Sequence, residues 1–258
     1  MMSEVVQARG RLARAAGRTD EGAPRGIVGW APELQKARVY EQILLDVILG
    51  ELPPGGRLDE QELVRRYDAG LAGVRDALGR LALEGLVVRR PRAGTTVAPL
   101  DLVEVRQAFE ARRLIEPHCA ALAATHATAD DIAALQSAFV GGEEAARIRD
   151  SRALIGMDQQ FHAAIARASR NPTLAQIVIP LQHKAARFWV YSMVEDTEEE
   201  RLAEINRHQE VVACITRHDP EAAHNAMLGI LGVFSDNVKR SVSGGSATDP
   251  HKPQKTLA

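Results

Sequence analysis

Three polar residues lie at positions where helical periodicity points them into an apolar core. Asp158 and His162 are four residues apart and so share one face of a helix, while His208 occupies the apolar stripe of another predicted helix. Buried carboxylate and imidazole groups need polar partners, so we expect the three side chains to converge. The set could be a hydrogen-bonded core cluster, a binding site for a small molecule, or the metal centre of a small hydrolase or isomerase.

A fourth inward polar residue is Arg112, whose helical stripe is otherwise apolar. A buried guanidinium needs an anionic partner, and Glu116, one turn later, could supply it as a structural salt bridge. The planar guanidinium also suits a bound carboxylate, which would make Arg112 a clamp for a small effector. Both interpretations stay open from the sequence alone.

The composition favours helices and excludes several classes of protein. Of the 258 residues, 45% are apolar but only 4% aromatic, and Ala and Leu dominate the apolar set. No apolar run reaches the ~18 residues of a membrane span. The first residues have no apolar stretch after their basic residues, so we expect no secretory signal. Cys119 and Cys214 belong to no metal or redox pair, so we expect reduced thiols and a cytoplasmic location. Motifs of serine hydrolases, nucleotide-binding loops and zinc proteases are missing.

The sequence predicts that the first module, residues 35–99, is a winged helix-turn-helix. Gly50 and Gly85 close the first and third of three predicted helices, and Asp59 with Glu62 resembles a capping box that opens the second. Two β-rich runs then flank a hairpin at residues 91–94. Three short helices followed by a hairpin are typical of a DNA-binding module with one wing.

Basic residues concentrate in this module. Between Arg75 and Arg92 the chain has five arginines against two acidic residues. Arg75 lies one turn into the third helix, where it could contact a guanine edge or a phosphate, be solvated, or pair with an acid. Weaker candidates for DNA contact, each equally open to plain solvation, are Arg65, Arg66, Arg89, Arg90 and Arg92, with Gly94 in the wing.

The whole chain divides into four segments with a mainly α fold. Six helical patterns fill the larger module, one of them spanning residues 129–149, and no strand interrupts them. This pattern predicts an antiparallel helical bundle. The segments are a flexible basic arm (1–34), the winged helix-turn-helix (35–99), the helical bundle (100–240) and a disordered tail (241–258).

Over residues 35–240 the order and spacing of motifs resemble the GntR family of bacterial regulators, in the subfamily with an FCD ligand domain. In the first module the similar stretches are Ile48–Gly55, Leu58–Leu63 and Val74–Leu78. In the second they are Phe109–Pro117, Asp158–His162, Asn171–Pro172, His208 and Asp219–Ala223. The resemblance implies a homodimer that binds an inverted repeat in double-stranded DNA. We expect this dimer to be a repressor. It also implies a small effector, which we expect to be a carboxylate, bound by Arg112, Asp158, His162 and His208.

The chain departs from the family pattern at two places. Where the family has Val-Ser-Arg-Thr-Pro before its recognition helix, this chain has Ala69–Gly73, so Leu71 replaces an arginine that often reads a base. Family members that bind metal use an Asp, a His four residues later and two further His. Asp158, His162 and His208 match three of these positions, but Ile230 stands at the fourth. We therefore expect a divalent metal (zinc, nickel or manganese) to bind weakly or not at all.

Two other functions compete with the regulator. A metal-dependent enzyme built on Asp158, His162 and His208 would leave the 35–99 module unexplained. A ligand-binding protein whose DNA binding has decayed is suggested by Leu71. Binding to promoter DNA separates the regulator from both.

Overall fold

The computed structural model describes residues 35–192 and 196–244, with the side chains of residues 37–188 and 196–232. The predicted arm, residues 1–34, lies outside this range, as do residues 245–258 of the predicted tail. The described chain is mainly helical, with a winged helix-turn-helix followed by a helical domain, as the sequence predicts.

The DNA-binding module begins with three helices, α1 (Gln35–Ile48), α2 (Glu60–Arg66) and α3 (Leu71–Leu83). Asp59 caps α2 by accepting a 2.9 Å hydrogen bond from the amide of Glu62. Gly85 follows α3 with a φ of +77°, a left-handed conformation that glycine adopts without strain. Asp59 and Gly85 therefore act as the sequence predicts, but among the described residues only the Asp59 half of the predicted capping box with Glu62 forms.

The wing is a three-stranded antiparallel sheet with the order β1 (Arg57–Leu58), β3 (Gly94–Val97), β2 (Val87–Arg90). Sequence analysis predicted only the hairpin of β2 and β3. The first strand was missed because two residues are too few to show alternating burial. Its pairing with β3 places Arg57 opposite Thr96, within the sheet of the wing.

Seven helices form the larger domain among the described residues, not the six predicted. They are α4 (Leu102–His126), α5 (Ala129–Ser137), α6 (Gly142–Ile148), α7 (Ser151–Ala168), α8 (Pro172–Ser192), α9 (Glu198–Thr216) and α10 (Pro220–Gly244). The single helix predicted over 129–149 was wrong, because Gly141 adopts a φ of +81° and separates α5 from α6. The last helix continues through Gly244, past the predicted start of the tail at residue 241.

Helices α7 and α8 contribute to both hydrophobic cores. Leu154 of α7 and Ala186 of α8 pack in the core of the DNA-binding module. At other positions on the same helices, Phe161 of α7 and Val178 of α8 pack in the core of the helical domain. Helix α7, which carries Asp158 and His162 of the predicted site, and its neighbour α8 therefore also contact the DNA-binding module.

Candidate effector site and nucleic-acid interface

The three polar residues singled out in the sequence converge. Asp158 and His162 extend from α7 and His208 from α9, and their ligand atoms all lie within 4.8 Å of one another. Nε2 of each histidine lies 3.4 Å from Oδ1 of Asp158. Both imidazoles are almost fully buried, so the structure places a carboxylate and two imidazoles together inside the domain.

The other ring nitrogen of each histidine faces an acceptor. Nδ1 of His208 lies 2.8 Å from the carbonyl oxygen of Glu204, to which its N–H can donate. Nδ1 of His162 lies 2.6 Å from Oε2 of Glu116. The Glu204 carbonyl orients the His208 ring, whereas Nδ1 of His162 meets Glu116 as an ion-pair contact with no hydrogen bond of good geometry among the described residues. Both Nε2 atoms face Asp158.

Arg112 lies beside this cluster but is already paired. Its Nε donates to Oε1 of Glu116, and its Nη2 lies 3.5 Å from Oε2 of the same carboxylate and 3.4 Å from Nε2 of His162. Arg112 is 5% exposed and Glu116 is 2% exposed. The salt bridge foreseen from the i, i+4 spacing is therefore present, and Arg112 presents no open face to a carboxylate in this arrangement.

The charges of the cluster balance one another. Burial on its own raises the pKa of Glu116, but Arg112 and His162 lower it to about 2. Burial lowers the pKa of His162, but Glu116 and Asp158 raise it to about 9. For Asp158, burial also acts to raise the pKa, yet His162 and His208 hold it far below its ordinary range. At neutral pH two carboxylates thus face a guanidinium and an imidazolium.

These three residues could hold a divalent metal, but they supply one ligand fewer than the four of the family's metal-binding members. Nε2 of His208 is buried and makes no hydrogen bond of good geometry within the described residues. Two imidazoles and a carboxylate are a donor set that zinc, nickel and manganese accept. Ile230 is buried in the same apolar core as Phe161 and supplies no ligand atom. Within the described ranges, no other set of three or more His, Cys, Asp or Glu side chains converges in this way.

A small cavity adjoins the cluster between α7 and α8. It has a volume of about 10 Å³ and lies beside His162, lined also by Gln159, Gln182 and His183. That volume holds one water molecule at most. A larger molecule could occupy this place only if these side chains moved.

The predicted DNA-contacting arginines have different surroundings. Arg75 is 59% exposed on α3, and its Nε donates to Oε2 of Glu60 across 2.8 Å. Arg89 of the wing approaches Oε1 of the same carboxylate at 3.6 Å. The recognition helix and the wing thus share one acidic partner on α2. Arg65 is exposed.

Arg66 is engaged within the protein rather than simply solvated. Its Nη2 lies 2.6 Å from Asp46 and 3.0 Å from Glu51. Arg152 of α7 binds the same two carboxylates, at 2.8 and 2.5 Å. Sequence analysis did not consider this partner for Arg66, because Asp46 lies 20 residues away along the chain.

The wing forms an open basic surface with one unpredicted member. An open cavity of about 520 Å³ is lined by Arg57, Arg89, Arg90 and Arg92 together with Gly94 and Thr95. Gly94 has a φ of +94° and Arg92 a φ of +63°, so the hairpin needs a left-handed turn at its tip. We name Arg57, Arg89, Arg90 and Arg92 the wing arginines. Arg57 could have been found only through its strand pairing, since it lies 32 or more residues before the others.

The N-terminus of the recognition helix shows the effect of the departure from the family pattern at Ala69–Gly73. Gly70 is the N-cap residue of α3 and makes no side-chain cap hydrogen bond, and Leu71 is the first helical residue. Serine at such a position would normally cap the helix. This end of α3 therefore lacks both the cap and the cationic side chain of the family pattern.

A winged helix-turn-helix with exposed arginines, joined to a helical domain, is the architecture of a DNA-binding transcription regulator. Comparison with known families agrees: residues 35–97 match the model of bacterial regulatory proteins of the gntR family, and residues 107–232 match the FCD domain. The chain belongs to the GntR family, with an FCD domain. The members of this family and the relatives of this chain are transcription regulators. This protein is therefore a transcription regulator rather than an enzyme.

Individual relatives support this assignment. The chain is 28% identical over 223 residues to the HTH-type transcriptional regulator LutR of Bacillus subtilis, which covers 74% of this chain and 98% of LutR. It is 26% identical to a probable D-xylose utilization operon transcriptional repressor of Paenarthrobacter nicotinovorans, covering 82% of this chain and 92% of the repressor. The solved structure of McbR/YncC from E. coli has the same fold, with a TM-score of 0.70, 21% identity, and coverage of 81% and 99%. No described helix is long and apolar enough to cross a membrane.

Proposed function

We propose that this regulator is a homodimeric repressor that binds an inverted-repeat operator and responds to a small anionic effector in its helical domain. The observation that carries the proposal is the position of α7, which holds Asp158 and His162 of the Asp158–His162–His208 cluster and, like its neighbour α8, packs against the DNA-binding module. A change in the cluster can therefore reach the module that contacts DNA. We place its action in the cytoplasm, where the operator lies.

The DNA-contacting surface consists of the recognition helix and the wing. Arg75 would contact the major groove, with Arg65 and the wing arginines on phosphates. A twofold dimer of such modules reads two half-sites on one face of the duplex. Arg66 contributes less in this proposal, because Asp46 and Glu51 already neutralise it.

The effector site would hold a divalent metal through Asp158, His162 and His208. Bound there, a metal would supply positive charge and an open coordination position for a carboxylate oxygen. In the metal-free cluster two carboxylates cancel a guanidinium and an imidazolium, so nothing attracts an anion. Arg112 serves this site by holding Glu116 against His162, and would reach an effector directly only if Glu116 moved away.

The test is DNA binding by the full chain with matched measurements of mass and metal. A fluorescent duplex from the intergenic region next to the gene should bind with an affinity that falls steeply with salt. Light scattering should give twice the chain mass of 28.0 kDa. A monomer that binds no promoter-proximal DNA would contradict the proposal and would favour a ligand-binding protein whose DNA binding has decayed.

The effector part is tested separately. Citrate and other small carboxylates, added with zinc, should raise the melting temperature more than either additive alone. If they do so and also weaken DNA binding, the regulator and its effector class are both supported. A stabilising carboxylate that leaves DNA binding unchanged would contradict the proposed response while leaving the DNA-binding function intact.

A further inference from the structure

Two neighbouring residues of α8 face different domains. Gln182 turns towards the cluster, where its Nε2 donates to Oδ2 of Asp158 across 2.5 Å. His183 turns towards the DNA-binding module, where its Nδ1 lies 2.8 Å from Oε2 of Glu84. Glu84 is the C-cap residue of the recognition helix α3. Both α8 side chains are nearly fully buried, so neither has solvent as an alternative partner.

Glu84 is held from a second side. The hydroxyl of Tyr40 on α1 donates to its Oε1 across 2.5 Å, and the guanidinium of Arg80 stacks on the Tyr40 ring at 3.8 Å. Burial acts to raise the pKa of Glu84, but His183 and Tyr40 lower it below its ordinary value. Glu84 is therefore a carboxylate that joins the end of α3 to α1 and to the helical domain.

The same face of α8 also holds the end of the wing. Arg187, one turn after His183, donates from Nη2 to the carbonyl oxygen of Ala98 across 2.5 Å. Ala98 follows β3 directly and its amide donates to Leu86, just before β2. One turn of α8 thus contacts the end of the recognition helix and the base of the wing.

The contact on the cluster side is the one most easily changed. Oε1 of Gln182 is buried and has no hydrogen-bond partner among the described residues, so the bond to Asp158 alone fixes this amide. The cavity of about 10 Å³ beside it holds one water molecule at most. A ligand that takes the place of the Gln182 amide at Oδ2 of Asp158 therefore displaces Gln182, and with it this part of α8.

We propose that Gln182 and His183 are positioning residues that couple the state of Asp158 to the position of the recognition helix through Glu84. This inference rests on the proposed function, since it assigns the internal route by which the cluster controls DNA binding. It requires a measurable coupling between Asp158 and Glu84, which do not touch.

The test is a double-mutant cycle read by amide hydrogen exchange on the full chain. Its members are the wild type, Asp158→Asn, His183→Ala and the double variant, all without ligand. Each single variant should speed exchange at residues 78–86 about fivefold, the lower end of common site-to-site coupling. The double variant should exchange no faster than either single variant, because both break the same route. Exchange at residues 129–137 in α5 should stay unchanged.

Control and rescue variants separate coupling from general loosening. Gln176→Ala removes an exposed glutamine of the same helix and should change nothing at residues 78–86. His183→Asn places an amide N–H near the position of Nδ1 and should restore slow exchange. If His183→Ala does not fold, Glu84→Gln, which preserves side-chain volume, takes its place in the cycle.

Two results would overturn the inference: unchanged exchange at residues 78–86 in Asp158→Asn, or a double variant whose effect is the product of the single effects. DNA affinity measured on the same proteins separates this outcome from failure of the proposed function. If the wild type binds no promoter DNA, the proposed function fails while the exchange cycle still decides the coupling. If it binds, His183→Ala should weaken binding about fivefold.

Discussion

The side chain of Arg75 on the recognition helix is held by Glu60 on α2, whose Oε2 accepts its Nε–H across 2.8 Å. In the proposed complex Arg75 would have to exchange this exposed carboxylate partner for DNA. The pair itself adds little to stability because it is solvated. Its effect should appear in DNA binding instead.

Arg75→Ala should weaken specific operator binding by ~1–3 kcal/mol, because a bidentate contact to a base edge is lost. Glu60→Gln should strengthen binding, since it removes a negative charge facing the phosphates and releases Arg75. Fluorescence anisotropy at fixed salt measures both, and the melting temperature checks that folding is unchanged.

Arg106→Ala provides the control for these two variants. Arg106 is also exposed and paired with a glutamate, Glu110 at 3.6 Å, but it lies on α4 of the helical domain. It should bind DNA like the wild type. Equal affinities of Arg75→Ala and the wild type would show that the wing or the N-terminal segment reads the operator.

Arg57 should contact a phosphate together with the other wing arginines. Its place on the wing cavity predicts that Arg57→Ala lowers the slope of log affinity against log salt by about 0.9, the value for one phosphate contact. Arg57→Lys keeps the charge and should keep the slope. An unchanged slope in Arg57→Ala would show that this residue does not contact DNA. The same measurement on Arg92→Ala tests the tip of the wing.

The metal site should be weak because one ligand is missing. Protein purified without a His tag or chelator should hold less than one equivalent of metal by elemental analysis, and added zinc should raise its melting temperature. His208→Ala should abolish that rise. Ile230→His should retain metal through purification if a fourth imidazole reaches the site. Stoichiometric, tightly held metal in the wild type would contradict the weakened site.

The fold could be predicted from local signals, whereas most partners of the site residues could not. Asp59 and Gly85 act within one turn of their own positions, so their roles follow from the sequence. The pairing of Arg112 with Glu116 also follows from their i, i+4 spacing. Glu116 as the partner of His162 does not, because it depends on how α4 packs against α7.

The contacts between the domains were the least predictable. His183 and Glu84 are 99 residues apart, and Arg152 and Asp46 are 106 apart. In the sequence each of these residues resembles an ordinary helix charge, and no periodicity marks its partner. Only the docking of α7 and α8 on the DNA-binding module brings them together.

Asp46 is the centre of one such contact, and its loss should loosen the two domains from each other. The carboxylate is 7% exposed in its side chain and accepts hydrogen bonds from Arg66 (2.6 Å), Tyr67 (2.7 Å) and Arg152 (2.8 Å). Asp46→Asn removes the charge that both guanidinium groups face. We expect a loss of about 2–3 kcal/mol in the free energy of unfolding at pH 7, measured with urea.

The pH dependence of this loss gives a second check. Burial acts to raise the pKa of Asp46, but Arg152, Tyr67 and Arg66 lower it below its ordinary value of 3.8. A carboxylate whose pKa is lowered by folding stabilises the protein above its unfolded pKa, and this contribution disappears as the pH falls through the folded value. The difference between the wild type and Asp46→Asn should therefore be constant from pH 7 to about 5 and shrink below pH 4. Asp130→Asn, at an exposed position on α5, should cost only a few tenths of a kcal/mol and serves as the control. A difference that persists unchanged to pH 3 would mean that the aspartate contributes through packing rather than through its charge.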